Sequence, residues 1–78
     1  MSLAGKTVLV TGATGFLGGA LTLRLANDGV QVRALARRPE RSGFLRPIPN
    51  IEIVQGDITD AEAMKQITEG CEFVFHVA

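Results

Sequence analysis

The sequence predicts an α/β fold with a parallel sheet, because short apolar segments alternate with helical ones along the chain. Residues 7–10, Thr-Val-Leu-Val, form a run without polar alternation, which is typical of a strand buried on both faces, and three later segments are also predicted as strands. Glycines separate these segments from the helical ones, at positions where strands turn into helices or helices end. The resulting order, β-α-β-α-β-α-β, requires parallel strands and right-handed crossovers.

The strands and the first helix follow from residue type and spacing. The predicted strands cover residues 7–10, 30–36, 51–55 and 73–77. The first helix is predicted over residues 15–27, with Gly29 just beyond its end. Its leucines recur every fourth residue and predict the face that packs on the sheet, formed by Leu17, Leu21, Leu25 and the adjacent Ala20.

The other connections are shorter. Residues 37–50 contain three prolines and leave room for one short helix and a loop. Residues 59–62, Thr-Asp-Ala-Glu, fit a capping box that begins a third helix, and Gly70 ends that helix. Ala63, Met64 and Ile67 are expected to face inward.

These elements predict the N-terminal half of a Rossmann-type, doubly wound sheet with the strand order 3-2-1-4. The fourth strand would be an open edge, and only the third helix would cover one of the two faces. Such a half-covered apolar sheet is unusual in a stable monomer. We therefore expect self-association through the fourth strand or through the uncovered face.

Composition limits the class of protein. The chain has 78 residues and a formal net charge of zero, which argues against a general nucleic-acid-binding protein. Its one cysteine, Cys71, excludes an internal disulfide and a multi-cysteine zinc site. No apolar run approaches the roughly 18–20 residues of a membrane span, and no secretory signal is visible. A cytoplasmic location without membrane or nucleic-acid partners is expected.

A glycine-rich turn joins the first strand to the first helix. Gly12 permits a tight reversal, Gly15 lacks a Cβ where a diphosphate would approach, and Gly18 lets the helix lie close to the sheet. N–H groups near Phe16 and Leu17 would face the phosphates at the positive end of the helix dipole. The glycines alone could make only a tight turn, but their place between strand and helix favours phosphate binding. The Lys-Ser/Thr ending of an ATP-binding P-loop is absent.

Residues 11–18, Thr-Gly-Ala-Thr-Gly-Phe-Leu-Gly, resemble the cofactor motif of the extended short-chain dehydrogenase/reductase superfamily. This superfamily includes epimerases, dehydratases and dihydroflavonol-reductase-like enzymes. Residues 56–60 resemble its adenine-contacting turn, and residues 73–78 resemble its fourth strand. The resemblance implies a dinucleotide cofactor, contacted by residues that include Thr14, Val77 and Ala78.

The end of the second strand favours NADP, with NAD as the second choice. Arg37 and Arg38 follow this strand, and no acid occurs before Glu40. A carboxylate there would bind the ribose of NAD, whereas a guanidinium binds the 2′-phosphate of NADP. Arg37 is assigned to that phosphate, with Arg38 or Arg33 assisting; a solvated arginine cluster is the alternative.

Other candidate residues depend on the resemblance. It implies that Asp57 accepts a hydrogen bond from the adenine amino group and that Ile58 packs on the ring, although Asp57 could simply cap a turn. In this superfamily the segment around His76 lines the cofactor through its backbone, so a structural histidine is expected. Cys71 is expected in the core.

The superfamily uses a Tyr-x-x-x-Lys pair, and this chain has no tyrosine. We therefore predict that residues 1–78 form the NAD(P)-binding part and that the catalytic and substrate-binding regions lie outside them. A dinucleotide-binding module without catalysis and a non-binding structural fragment are the alternatives.

Overall fold

A four-stranded parallel sheet organises residues 3–77, the part of the chain that the computed structural model describes. Its strands are β1 (Thr7–Thr11), β2 (Gln31–Ala36), β3 (Ile51–Gln55) and β4 (Phe73–His76). Two α-helices connect them, α1 (Phe16–Asn27) and α2 (Ala61–Thr68). The order is β3-β2-β1-β4, and all three pairings are parallel, so the predicted α/β fold and strand order are confirmed.

The connection between β2 and β3 contains less helix than the predicted alternation implies. In the described chain, a single 3₁₀ turn, Pro39–Arg41, is its only helical element, and a series of turns leads from it to β3. Prolines at 47 and 49 remove backbone donors that a longer helix would need. The segment still supplies core, since Leu45 is fully buried and packs with the sheet.

Helix α1 packs through its small residues, and the predicted leucine face is wrong in part. Leu25 is buried and Leu21 packs against the core, but Leu17 and Ala20 are exposed. The buried positions are instead Gly18, Gly19, Thr22, Leu25 and Ala26. The reason is the close approach of the helix to the turn that precedes it, which only a glycine face permits. Thr22 satisfies its buried hydroxyl by donating to the Gly18 carbonyl at 2.7 Å.

The two faces of the sheet carry different layers. Alternate residues of β2, Val32 and Ala34, belong to the core that α1 and Leu45 cover. Arg33 and Leu35 point to the opposite face, because side chains alternate along a strand. There the Arg33 guanidinium donates to the Ile67 carbonyl at 2.8 Å and to the Glu69 carbonyl.

Helix α2 begins differently from the predicted capping box. Asp60, not Thr59, is its N-cap, and the Asp60 carboxylate accepts from the Ala63 N–H at 3.1 Å. Thr59 instead bonds to Asp57 in the preceding turn. Ala63, Met64 and Ile67 are half-buried, and no residue of α2, all of which is described, is fully buried. The hydrogen bonds of Arg33 to carbonyls at the C-terminal end of α2 add to this limited packing.

No helix within residues 3–77 has the length and apolar character that crossing a membrane requires.

Candidate functional site

The glycine turn, residues 12–15, packs between the end of β4 and the beginning of α1. Gly12 has φ +69°, a backbone conformation that favours glycine, and a Cβ there would lie 2.2 Å from the Val77 carbonyl oxygen. A Cβ on Gly18 would lie 1.8 Å from the Gly12 carbonyl oxygen. Both glycines are therefore required by the packing of the protein itself.

Gly15 differs from these two glycines. Its φ of −78° and ψ of 175° are extended backbone that any residue adopts. A Cβ built on it would meet only the Gly12 carbonyl oxygen, at an ordinary contact distance of 3.4 Å. Neither conformation nor internal packing requires glycine here, and the space beside Gly15 is open to a ligand.

Helix α1 begins without a protein cap. Gly15 is its N-cap, supplies no side chain, and no acidic residue occupies the first turn. Within residues 3–77, the backbone N–H groups of Phe16, Leu17 and Gly18 have no hydrogen-bond partner. Three donors at the positive end of a helix form a site for an anion.

A cleft of about 640 Å³ lies at the carboxyl ends of the strands, next to this turn. Seven of the predicted site residues line it: Gly12, Thr14, Arg37, Arg38, Asp57, Ile58 and Val77. The other predicted residues of the motif do not line the cleft but lie at the beginning of α1: Gly15, Phe16, Leu17 and Gly18. Ala78 lies outside the described residues.

Four lining residues were not predicted as part of the site: Thr11, Leu35, Thr59 and His76. Thr11 and His76 are register neighbours on β1 and β4, and the Thr11 hydroxyl lies 2.8 Å from the His76 Nδ1. This hydrogen bond supports the structural interpretation of His76. The predicted strand order could have identified Thr11 and His76, because an order of 3-2-1-4 places the ends of β1 and β4 side by side.

The three candidate arginines do not share one location. Arg37 and Arg38 are exposed beside the cleft. Arg33 does not line it, because its guanidinium is bound to the carbonyls at the C-terminal end of α2 and lies 3.5 Å from Glu52. Of the two residues expected to assist Arg37, Arg38 therefore lies beside the cleft and Arg33 does not.

Asp57 forms the rim of the cleft. Its Oδ1 accepts from the Thr59 N–H at 2.9 Å and from the Thr59 hydroxyl at 2.8 Å, so the turn-capping interpretation is seen directly. These two hydrogen bonds, aided by the charge of Arg37, hold the pKa of Asp57 below its usual value. Its Oδ2 lies 3.8 Å from the Arg37 Nε.

The motif order and this geometry agree with a comparison of the sequence with known families. A profile of the NAD dependent epimerase/dehydratase family matches residues 8–78. The chain belongs to this family. The resemblance inferred from residues 11–18 is thereby confirmed, and membership supports a nicotinamide dinucleotide as the cofactor.

Several known proteins share much of the sequence and the fold with this chain. A ceramide reductase of Caulobacter vibrioides is 42% identical over 71 residues, which cover 91% of this chain and 22% of that protein. An epimerase from the methanogen Methanothermobacter thermautotrophicus has 42% identity and a TM-score of 0.78 over 97% of this chain. NmrA, a negative transcriptional regulator solved in complex with NADP, has 30% identity and a TM-score of 0.82 over 91%.

The chain corresponds to a limited part of these relatives. It spans 22% of the Caulobacter reductase, 23% of the methanogen epimerase and 23% of NmrA. The similarity to these proteins is therefore a similarity of the four-stranded unit described above and not of their whole chains.

Proposed function

We propose that this chain is the cofactor-binding part of an oxidoreductase, or of an epimerase or dehydratase, and that it binds NADP in preference to NAD. The observation that carries the proposal concerns Gly15: the protein itself does not need a glycine there, and the three N–H groups that follow it at the beginning of α1 have no partner within residues 3–77. A diphosphate accounts for both facts, since it requires close backbone approach and charge-assisted donors.

Each part of the dinucleotide has a matching group of residues. The N–H groups of Phe16 and Leu17 would hold the diphosphate, and Ile58, half of whose surface is exposed, offers an apolar contact for adenine. Val77, whose backbone carbonyl lies beside Gly12, would border the nicotinamide side. When bound, the nicotinamide ring supplies hydride transfer; the residues of this chain bind and orient the cofactor.

The NADP preference follows from the charges at the end of β2. Arg37 and Arg38 lie on the cleft, and no acidic residue of β2 itself competes for the ribose hydroxyls. The NADP in the NmrA structure supports this choice by similarity. Arg37 would bind the 2′-phosphate through its terminal nitrogens, with Arg38 assisting.

Calorimetric titration with NADPH and NADH tests the proposal. The chain should bind NADPH more tightly, and Arg37→Ala should weaken NADPH binding by about tenfold or more while changing NADH binding little. Arg24→Ala is the matched control, because Arg24 also forms an exposed ion pair but at the far end of α1. Equal affinities for the two cofactors in the unmodified chain would refute the preference.

A dinucleotide-binding module without catalysis is the second candidate, favoured by the similarity to NmrA, a negative transcriptional regulator solved in complex with NADP. Such a module would bind NADPH as well. The two functions are distinguished by the protein in which this chain occurs: a Tyr-x-x-x-Lys pair beyond residue 78 would favour the enzyme. A cytoplasmic location stays a prediction.

Self-association is also proposed, through the edge strand β4. Phe73 and Val74 are 43% and 50% exposed, and β4 pairs only with β1 within the described chain. Apolar edge strands of this kind tend to pair with other chains. Light scattering coupled to gel filtration should show dimers or larger species at high concentration, and Val74→Lys should reduce them. A monodisperse monomer would contradict this proposal.

A further inference from the structure

The two oxygens of the Asp57 carboxylate have separate partners. Oδ1 is engaged by the backbone N–H and the hydroxyl of Thr59, two residues along the chain. Oδ2 faces the Arg37 Nε at 3.8 Å, although these residues are 20 positions apart and belong to different strand ends. The turn therefore fixes the carboxylate, and the carboxylate in turn faces one particular nitrogen of the arginine.

That nitrogen determines which edge of the guanidinium stays accessible. A guanidinium offers five N–H donors and can bind an oxyanion through the Nε side or through its two terminal nitrogens. Asp57 lies on the Nε side. Within residues 3–77, the terminal nitrogens of Arg37 have no hydrogen-bond partner, and the Arg37 side chain is 74% exposed. An edge with two parallel donors is therefore left open by Asp57 and can bind a phosphate.

We propose that Asp57 is a positioning residue for Arg37, and that this ion pair contributes to selection of cofactors that carry a 2′-phosphate. The inference rests on the proposed NADP preference and deepens it. Arginine loses considerable side-chain entropy when it binds a ligand, and a partner that already orients the guanidinium lowers that cost. Because the carboxylate lies on the Nε side, it acts on a phosphate mainly through the cation that it orients.

This role differs from the adenine contact that the family resemblance implies for Asp57. An adenine contact would affect NADPH and NADH equally, because both carry the same base. A positioning role would affect only the ligand with the 2′-phosphate. The ratio of the two affinities therefore distinguishes the two roles.

Asp57→Asn is the decisive variant. Asparagine keeps an Oδ1 acceptor for Thr59, so the turn is preserved, but it removes the charge that faces Arg37. Calorimetry should show NADPH binding weakened about two- to fivefold, as expected for an exposed ion pair, with NADH binding unchanged. In an Arg37→Ala background, Asp57→Asn should change neither affinity further.

Two further variants separate positioning from folding. Thr59→Val removes the hydroxyl that supports Asp57 but leaves the Asp57 charge, so the cofactor preference should persist. Arg37→Lys keeps a positive charge but removes the planar guanidinium that the carboxylate orients, so Asp57→Asn should weaken NADPH binding less in that background than in the unmodified chain. Should Asp57→Asn fail to fold, Asp57→Glu replaces it, because it keeps the charge but moves the carboxylate by one methylene relative to the Arg37 Nε, and it should weaken NADPH binding while NADH binding stays unchanged.

The outcomes are distinct. An equal loss of NADPH and NADH binding in Asp57→Asn would assign Asp57 to the adenine or to the turn, and would overturn the inference. Tighter NADPH binding would also overturn it, because Asp57 would then compete with the phosphate. If the unmodified chain binds neither cofactor, the proposed function itself fails; if it prefers NADPH and Asp57→Asn keeps that preference in full, only the positioning role fails.

Discussion

Replacing Gly15 by serine should change the stability of the chain and its cofactor affinity in opposite directions. Gly15 is the N-cap of α1, has extended backbone angles, and leaves space for a Cβ. Serine is a preferred N-cap residue, because its hydroxyl accepts from the N–H of the second or third helical residue. In this chain those donors belong to Leu17, which is assigned to the diphosphate, and to the adjacent Gly18.

The expected changes in stability and in cofactor affinity can be estimated from these contacts. Serine in place of glycine at an N-cap contributes a few tenths of a kcal/mol, and the reduced freedom of the unfolded chain adds about 0.4–1 kcal/mol. The sum of about 1 kcal/mol corresponds to a rise in Tm of roughly 4–8 °C for a domain of this size. Loss of one charge-assisted hydrogen bond to the diphosphate costs about 1.5–3 kcal/mol, which weakens cofactor binding tenfold or more.

Thermal unfolding followed by circular dichroism and calorimetric titration with NADPH measure the two effects. Gly18→Ala is the contrasting variant, because its Cβ would lie 1.8 Å from the Gly12 carbonyl oxygen and should destabilise the fold severely. A Gly15→Ser chain that binds NADPH as tightly as the unmodified chain would refute the assignment of this helix end to the diphosphate. A fall in Tm would show that Gly15 serves the fold after all.

Two other predictions concern Arg33, which bonds to helix α2, and Asp57, which lies at the rim of the cleft. Arg33→Met should lower the free energy of unfolding by about 1–3 kcal/mol in urea titration, because the Ile67 and Glu69 carbonyls lose their donor. The ratio of NADPH to NADH affinity should not change; a changed ratio would return Arg33 to the cofactor site. For Asp57, hydrogen bonds from Thr59 lower the folded pKa, so the stabilisation is present above the unfolded pKa and is lost as pH falls through the folded value. Unfolding measured from pH 6 to about pH 2 should show a shallower acid decline in Asp57→Asn, and identical curves would contradict that contribution.

The order of the strands could be predicted because several independent signals agree on it. Apolar runs mark the strands, and right-handed crossovers leave few possible arrangements for a β-α-β series. The position of Gly12 at a strand end was enough to predict a tight turn, and its positive φ confirms this. The cleft beside that turn follows from the topology, since ligands bind at the carboxyl ends of parallel strands where the order reverses.

The predictions that were wrong concern contacts between elements distant in sequence. The leucine spacing in α1 predicts a face containing Leu17, but the proximity of Gly18 to the Gly12 carbonyl turns the small residues inward. The side chain of Arg33 was grouped with Arg37 by sequence proximity, yet its alternation along β2 directs it towards α2. Thr59 and Asp60 both suit an N-cap, and the additional bond of Thr59 to Asp57 decides between them.

The shallow burial of helix α2 has a consequence for the dynamics of the chain. Since no residue along the described length of α2 is fully buried, this helix has little apolar area to lose when it separates from the sheet. Its amide hydrogens should exchange with solvent through local opening, at a lower free-energy cost than those of β1, where Val8, Leu9 and Val10 are fully buried. The turn that contains Asp57, Ile58 and Thr59 lines the cleft and leads directly into this helix, so local opening of α2 would also release one end of that turn.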